Sequence, residues 1–387
     1  MRSAPTEQAS NLATMWGTHD HSILVLQGGG ALGAYQAGVY EGLAEAGLAP
    51  DWVTGISIGA INSALIAGNP PQRRVQRLRE FWERVSASSP VMLPSALDQW
   101  RPLMNRMSAT SAAIFGVRGF FHPRPISPLL SPQGTVSALS FYDTAPLRKT
   151  LEELADFDLV NGGAVRLSLG AVNVRSGQPV YFDSRETTIT AAHVLASGAL
   201  PPGFPPVEID GEMYWDGGVV SNSPLHYVLE DFRMDALVVQ VDVFSGEGSL
   251  PKNMDQVLER AKDIQYASRR RFSTHQIKTV EGLRSTLAKV LEKLPHELHT
   301  DPDVQKLLTL SRRGALSLVH FVNRHDTHSS DFKDYEFSRA TVSQLWQGGL
   351  DDVRRMLAEP EARVEYDLGH RVRSYELAEA QAPEDAK

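Results

Sequence analysis

The sequence predicts a three-layer α/β fold with a mostly parallel central sheet, followed by a mainly helical C-terminal extension. Two strand–glycine loop–helix units lie directly one after the other near the N-terminus. Short apolar runs of strand length recur as far as residue 244, and helical periodicity prevails after that point. Consecutive units of this kind place their strands side by side in a parallel sheet, joined by right-handed crossovers.

The first unit begins with the apolar run Ser22–Leu26, which predicts a buried strand leading into the three glycines Gly28–Gly30. From Ala31 to Ala46 the apolar residues recur at helical spacing, and Gly47 is typical of a helix C-terminus. The second unit repeats this pattern, with a strand over Trp52–Thr54, a tight turn and a helix of small residues.

The remaining elements are predicted from the same signals. Asp210-Gly211 between two apolar runs is the strongest short signal for a β-hairpin, and the second hairpin strand leads into Asp216. Further strands are predicted over Val165–Val174, Ala236–Phe244 and Ala315–Val322, and helices over Arg73–Val85, from the Asp143-Thr144 cap to Leu154, and over Ala191–Gly198, Asp255–Arg271, Val280–Leu294 and Arg339–Leu357.

These elements divide the chain into four parts. Residues 1–20 are a flexible N-terminal arm, 21–248 the main α/β domain, 249–375 the extension and 376–387 a polar tail. The arm lacks the apolar block of a secretory signal. No window of the sequence reaches the roughly 18 apolar residues of a membrane span. We therefore expect a cytoplasmic protein that contacts membranes at most peripherally.

The composition narrows the chemistry. Hydrophobic residues make up 42% and charged residues 22% of the 387 residues, as in ordinary globular proteins. The net charge of −8 disfavours nucleic-acid binding, which draws on clustered positive charge. The chain has no Cys, so thiol catalysis, disulfides and Cys-ligated zinc are excluded. Covalent chemistry therefore requires an oxygen nucleophile, and no obligate protein partner is indicated.

Gly55-Ile56-Ser57-Ile58-Gly59 fits the nucleophile elbow, a strained strand-to-helix turn that exposes a serine hydroxyl. Gly55 and Gly59 meet a steric requirement, because a side chain at either position would crowd the neighbouring strand or helix. Such a short match also arises by chance in a flexible turn whose Ser caps a helix. Its position between a predicted strand and a predicted helix favours Ser57 as a nucleophile.

The loop Gly28-Gly29-Gly30-Ala31-Leu32-Gly33 presents unhindered backbone amides at the start of a helix, where free N–H groups and the helix dipole favour an anion. If the loop lies beside Ser57, these amides can hold the oxyanion that forms when an ester carbonyl is attacked. The same residues match the Gly-x-Gly-x-x-Gly motif of dinucleotide sites. That alternative needs an acidic residue at the end of the second strand, where this chain has Thr54-Gly55, and it is therefore disfavoured.

A serine nucleophile needs a general base, and none of the 12 histidines stands in a turn that marks it as one. Asp216 ends a hairpin strand and is followed by Gly217 and Gly218, which allow another loop to approach closely. A carboxylate in contact with Ser57 could accept its proton and return it to the leaving group. Taken alone, Asp216-Gly217 is more typical of an ordinary β-turn.

Together, the glycine loop, the elbow and Asp216-Gly217-Gly218, in this order, resemble the patatin-like phospholipases, as does the block Ala196–Pro201. The resemblance covers about residues 22–245. It implies a Ser57–Asp216 dyad, an oxyanion hole from the loop amides, and hydrolysis of lipid acyl esters with no metal or other cofactor. The chain departs from the pattern at Leu32, where many members have a basic residue, so a charge contact with lipid phosphate is not expected there.

The C-terminal third, especially Asp334–Arg339 and the following helix with Trp346, resembles the extension of one bacterial branch of the same family. The resemblance assigns no function to this extension. From the residues alone, we interpret the extension as a helical cover for the edge of the sheet rather than as a second active site.

Other classes of protein fit the motifs less well. An α/β-hydrolase has several strands before its elbow, whereas only one fits before Ser57. Acyltransferases that load acyl carriers generally have His directly before the Ser, where this chain has Ile56. A non-catalytic lipid-binding or scaffold protein could keep the same fold, with Leu32 and the extension blocking productive binding.

Residues 90–132 combine many prolines with Met, Trp and Phe side chains, and they are locally cationic. One interpretation is an apolar wall or lid for an acyl chain, with arginines facing anionic headgroups. The other is a long surface loop whose aromatic side chains pack onto the domain. The arginines concerned are Arg101, Arg106, Arg118 and Arg124.

Overall fold

The computed structural model describes residues 16, 19–86, 101–231, 235–311, 314–325, 333–359, 363–369 and 372–377, without the side chains of 101–106, 231, 268–278 and 363–369. Most of the predicted N-terminal arm, the first part of the 90–132 segment and most of the predicted tail lie outside the described residues, as do the side chains of Arg101 and Arg106.

The strands of the described chain, in order, are β1 His21–Leu26, β2 Trp52–Gly55, β3 His122–Pro123, β4 Tyr142–Asp143, β5 Arg166–Asn173, β6 Pro179–Asp183, β7 Val207–Ile209, β8 Glu212–Asp216, β9 Ala236–Asp242, β10 Leu316–Val322, β11 Arg363–Gly369 and β12 Val372–Leu377. All except β3 and β4 join one sheet in the order β11-β12-β10-β9-β1-β2-β5-β8-β7, and β6 pairs with β5. The pairs that connect β12, β10, β9, β1, β2 and β5 are parallel, whereas β11, β6, β8 and β7 run antiparallel to their neighbours. The predicted mostly parallel sheet is confirmed.

Helices cover both faces of this sheet. They are α1 Gly33–Glu45, α2 Ile58–Ala67, α3 Pro71–Val85, α4 Arg101–Phe115, α5 Ala145–Leu154, α6 Phe157–Asn161, α7 Ala191–Ser197, α8 Leu225–Asp231, α9 Met254–Leu291, α10 Pro302–Ser311 and α11 Arg339–Ala358. On one face, Leu225 and Val228 of α8 pack with Ile23, Val25 and Val238 of the sheet. The larger core lies on the other face, under α1, α2, α3, α5, α7 and α11. The fold is therefore a three-layer α/β arrangement.

The hairpin predicted at Asp210-Gly211 joins β7 to β8, and both turn residues have positive φ, 52° and 81°. One difference concerns the two helices predicted after residue 254, which form the single helix α9. The residues between the two predicted helices include no Pro or Gly, so nothing in the sequence interrupts the helix. β3, β4, β6, α4, α6, α8, α10, β11 and β12 have no counterpart among the elements predicted from the sequence.

The extension continues the same sheet. β10 pairs in parallel with β9, and β12 with β10. α11 packs against α1, where the buried Tyr35 hydroxyl donates a 2.6 Å hydrogen bond to Asp352. Among the helices of the described residues, none combines the length and the apolar character needed to cross a bilayer. The boundary near residue 248 stays a prediction.

Candidate active site

The loops that follow β1 and β2 meet at the carboxyl edge of the sheet. Leu26 and Gly55, the last residues of these parallel strands, are register partners, so the glycine loop and the elbow begin at the same level. The strand order changes direction here, because β1 lies between β2 and β9. In open α/β sheets ligands bind in the crevice outside such a point.

The elbow holds Ser57 in a conformation that L-residues rarely adopt, with φ 58° and ψ −122°. A Cβ atom on Gly55 would overlap the backbone of Gly59, and one on Gly59 would overlap the carbonyl of Leu26. The turn therefore tolerates only glycine at these two positions. Ser57 precedes α2 directly, so its side chain lies at the positive end of that helix. Backbone strain of this kind is typical of functional sites.

The glycine loop packs against the elbow. Its first three residues lie beside Ser57, whereas its last three are buried against the core. A Cβ atom on Gly28 would lie 3.1 Å from the Ser57 Cβ. Gly29 and Gly30 line a cavity with Ser57. Within the described part of the chain, neither of their N–H groups donates a hydrogen bond to a protein acceptor. Ala31 and Leu32 are buried in the core, and a Cβ atom on Gly33 would overlap the side chain of Ile58.

Asp216 ends β8 and is only 1% exposed. Its carboxylate accepts a hydrogen bond from the Gly218 N–H at 2.7 Å, and Asp216 lines the same cavity as Ser57. Burial raises the pKa of Asp216 from its ordinary value of 3.8 to about 7, although the Gly218 N–H and the nearby Ser57 side chain act in the opposite direction. A carboxylate with a pKa near neutrality can both accept and return a proton at physiological pH.

Ser197–Ala199, at the end of α7 and just after it, brace the backbone at Ser57 and at Asp216, a role that sequence reasoning did not assign. The Ser57 N–H donates to the carbonyl oxygen and the hydroxyl of Ser197, each at 3.1 Å. The Ser197 hydroxyl in turn donates to the Gly170 carbonyl at 2.6 Å. Two residues later, the Ala199 carbonyl accepts from the Asp216 N–H at 3.0 Å. One short segment therefore fixes the elbow and the end of β8 relative to each other.

Asn222 and Gln27 brace the glycine loop and were also missed. The side-chain amide of Asn222 donates a hydrogen bond to the Gly28 carbonyl at 2.7 Å. The backbone carbonyl of Asn222 accepts a hydrogen bond from the Gly28 N–H at 3.0 Å. The side-chain oxygen of Gln27 accepts from the Val243 N–H at 2.7 Å. Asn and Gln carry no pattern that distinguishes such a brace in a single sequence, so only the fold identifies it.

The cavity beside Ser57 is small and mainly aromatic, with a volume of about 70 Å³. Ser57, Asp216, Gly29 and Gly30 form its polar side. Its apolar lining comes from five stretches of the chain and includes Ile58, Ile61, Phe120, Phe121, Leu200, Phe204, Phe244, Tyr335 and Phe337. No histidine is among the described residues that line it. The described residues also include no group of three His, Asp or Glu side chains placed to hold a metal ion.

A family model described as patatin-like phospholipase matches residues 24–229, more than half of the chain. The chain belongs to this family. A second model, described as patatin phospholipase, matches residues 264–367. The predicted family is therefore confirmed, and both matches include residues that line the cavity beside Ser57.

Several curated proteins are similar to this chain. Patatin-like phospholipase domain-containing protein 7 of Rattus norvegicus is 26% identical over 52% of this chain and 12% of that protein. Lysophospholipase nte1 of Aspergillus terreus is 29% identical over 59% of this chain and 12% of that protein. An uncharacterized NTE family protein of Mycobacterium tuberculosis is 28% identical over 57% of this chain and 30% of that protein. The matched region thus spans about an eighth of the first two relatives.

A search of solved structures matches VipD from Legionella pneumophila, with a TM-score of 0.35 and 15% sequence identity. That match covers 87% of this chain and 67% of VipD.

Proposed function

We propose that the chain is a lipid acyl-ester hydrolase in which Ser57 is the nucleophile, Asp216 the general base and the glycine-loop amides the oxyanion hole. The observation that carries this proposal is that Ser57, in its strained elbow, and the buried carboxylate of Asp216, whose pKa is raised to about 7, line one cavity beside the glycine loop. Membership of the patatin-like phospholipase family supports the same reaction class.

In the proposed first step, the Ser57 Oγ attacks the ester carbonyl while its proton passes to Asp216. Negative charge develops on the former carbonyl oxygen, and the N–H groups of Gly29 and Gly30 are the donors available to it. Removing one such donor typically costs ~2.7–4 kcal/mol of transition-state stabilisation. The tetrahedral intermediate then collapses to the acyl-enzyme, and Asp216 donates its proton to the departing alcohol.

In the second step, water attacks the acyl-enzyme with Asp216 again as the base, and the proton returns to Ser57 as the fatty acid leaves. Exclusion of water from the apolar surroundings of Asp216 strengthens both proton transfers, because the carboxylate is poorly solvated. The same burial gives Asp216 a pKa suited to a base, a task that histidine usually performs.

The aromatic lining of the cavity supports an acyl group as the bound part of the substrate. Each methylene group moved from water into such surroundings contributes about 0.8 kcal/mol. The printed name of the Aspergillus relative, a lysophospholipase, supports a phospholipid or lysophospholipid as the substrate class. We therefore assign the substrate as a lipid acyl ester rather than a peptide or a nucleotide.

Hydrolysis of a short-chain chromogenic ester tests this proposal. Wild-type protein should release p-nitrophenol, Ser57→Ala should reduce the rate to background, and Asp216→Asn should reduce kcat by about 10²–10⁴-fold. Equal residual turnover in all three proteins would instead favour a non-catalytic lipid-binding or scaffold protein. Release of fatty acid from a lipid extract by wild-type protein and not by Ser57→Ala would then identify the lipid.

We also propose that residues 107–141, here called the apolar surface segment, contact the membrane from which the substrate comes. Leu129 and Leu130 in this segment are 86% and 80% exposed, and Ile114, Phe115, Ile126, Val136, Leu139 and Phe141 are exposed as well. The segment contains Arg118 and Arg124 but no Asp or Glu. Phe120 and Phe121 of the same segment line the cavity, so a bound membrane would lie next to the site.

Co-sedimentation with vesicles of phosphatidylcholine and phosphatidylglycerol tests the membrane contact. Burial of an exposed Leu contributes about 1.5–3 kcal/mol, so Leu129→Ser with Leu130→Ser should reduce the bound fraction at least tenfold. The matched control is Leu250→Ser with Leu283→Ser, two exposed leucines outside the segment. Equal loss of binding in both double variants, or no loss in either, would refute this contact.

A further inference from the structure

The C-terminal extension forms one wall of the cavity beside Ser57. This wall belongs to Lys333–Phe337, a segment here called the strap, of which Asp334, Tyr335 and Phe337 line the cavity. The strap also passes directly over the glycine loop, because a Cβ atom on Gly30 would overlap the carbonyl oxygen of Asp334. No group larger than a hydrogen atom fits between the two backbones at this point.

Reciprocal ion pairs attach the strap to α9. Lys262 of α9 lies 2.6 Å from Asp334 of the strap. In the other direction, Lys333 of the strap lies 2.8 Å from Asp263 and 3.3 Å from Glu259, both on α9. The charges alternate between the two segments, so a shift of the strap along α9 would bring like charges together. These ion pairs therefore attach the strap to α9 and also fix its register along that helix.

The other end of the strap is held by aromatic packing. Phe337 is 6% exposed, and its ring centroid lies 5.7 Å from that of Phe120 and 6.5 Å from that of Trp82. Phe120 belongs to the apolar surface segment. Phe337 therefore forms the wall of the cavity where that segment and α3 approach each other.

Tyr335 lies between these two attachments and lines the cavity. Its pKa is raised, first by burial and then by nearby groups that include the carboxylates of Asp334 and Asp216. The phenol therefore stays protonated at neutral pH and adds no charge near Ser57. Its ring takes up space that an acyl chain would need.

The volume that remains is too small for a fatty acyl chain. The cavity measures about 70 Å³, whereas pockets that enclose drug-sized ligands typically measure about 300–1,000 Å³. A long acyl chain and the strap cannot occupy this space together. An acetyl-sized group requires no movement of the strap.

We propose that Tyr335 and Phe337 determine the acyl-chain length that the site accepts, and that long chains enter only when the lysine–carboxylate pairs of the strap open. This inference rests on the proposed hydrolase function. It assigns the extension a role in substrate selection: with the strap in place, short acyl esters are preferred, and displacement of the strap extends the cavity towards Trp82 and the apolar surface segment.

The test compares kcat/KM for p-nitrophenyl acetate and p-nitrophenyl octanoate, with the longer ester below its critical micelle concentration. In the full-length protein, Phe337→Leu removes part of the wall and Lys262→Met removes one ion pair without changing the cavity lining. Both variants should raise the octanoate-to-acetate ratio at least tenfold. Thermal unfolding of each variant verifies that it is folded, and Lys262→Met carries the test if Phe337→Leu is not.

Two matched controls separate this role from general destabilisation. Phe182→Leu shortens a phenylalanine of similar burial in β6, and Lys149→Met removes a surface lysine that pairs with Glu153. Both should keep the wild-type ratio. An unchanged ratio in Phe337→Leu and Lys262→Met, with Ser57-dependent hydrolysis intact, would overturn the strap inference alone. Absence of Ser57-dependent hydrolysis of either ester in every protein would remove the proposed function and the strap inference together.

Discussion

Asp216 must accept a proton from a serine although its own side chain is almost completely buried. In water its carboxyl group would be far too acidic to act as a base at neutral pH. Burial raises its pKa to about 7, and the Gly218 N–H and the nearby Ser57 side chain keep the pKa from rising further. In this account, a single aspartate therefore has the acid–base properties that a histidine would otherwise supply.

This pKa predicts the pH dependence of the reaction. Only ionised Asp216 can act as the base, so kcat/KM should rise about tenfold per pH unit below pH 7 and level off above it. The measurement is initial-rate hydrolysis of p-nitrophenyl acetate between pH 5 and 9. A plateau that already begins near pH 4 would mean that the base is an ordinary exposed carboxylate.

Among the elements, the end of α7 with the two residues that follow it, Ser197–Ala199, determines how the elbow and the end of β8 meet. Ser197 contacts the backbone of both Ser57 and Gly170. Ser197→Ala leaves the Gly170 carbonyl without this donor, which typically costs about 1–3 kcal/mol. It also removes one of two acceptors for the Ser57 N–H, and a small displacement of the nucleophile should lower kcat about tenfold or more.

The control for this substitution lies on α2. Ser63 is fully buried, and its hydroxyl has no hydrogen-bond partner among the described residues. Ser63→Ala should therefore leave both kcat and the free energy of unfolding close to the wild-type values. Urea unfolding and ester hydrolysis of the two variants provide the comparison. Similar effects of both substitutions would contradict a specific role for Ser197.

Elements with strong local signals could be predicted from the sequence. Asp210-Gly211 fixes a hairpin by its own turn geometry, and the short apolar runs of β1 and β9 have the length of buried strands. β12 gives no such signal, because Val372–Leu377 mixes polar with apolar residues and becomes a strand by pairing with β10 and β11. The single helix α9 was predicted as two helices because polar residues at its middle obscure the apolar periodicity.

In the candidate site, too, some residues could be predicted from a local pattern and others could not. Glycines at Gly55 and Gly59 can be recognised because a tight turn excludes side chains there. The supports supplied by Ser197 and Asn222 depend on contacts between residues distant in the sequence, and no local pattern specifies them. The strap is more distant still, since 277 positions separate Asp334 from Ser57. The catalytic roles of Ser57 and Asp216 stay predictions until they are measured.

At the scale of the whole molecule, the extension and the main α/β domain share one sheet and one core. β10 covers the edge of β9, and α11 covers α1. Removal of residues 249–387 would leave β9 as an exposed edge strand whose side chains are all buried in the full chain. The shortened chain should therefore aggregate or lack a cooperative unfolding transition. Gel filtration and thermal unfolding measure this; a monomeric, cooperatively folded fragment would support two independent domains.

Covalent labelling with an alkyl fluorophosphonate, followed by peptide mass spectrometry, tests the pairing of Ser57 with Asp216. We predict one adduct, on Ser57, and a labelling rate at least 100-fold lower in folded Asp216→Asn protein, because the base that activates the serine is absent. Labelling of a different residue, or equal labelling rates for Ser57 in the wild type and Asp216→Asn, would contradict the proposed pair of nucleophile and base.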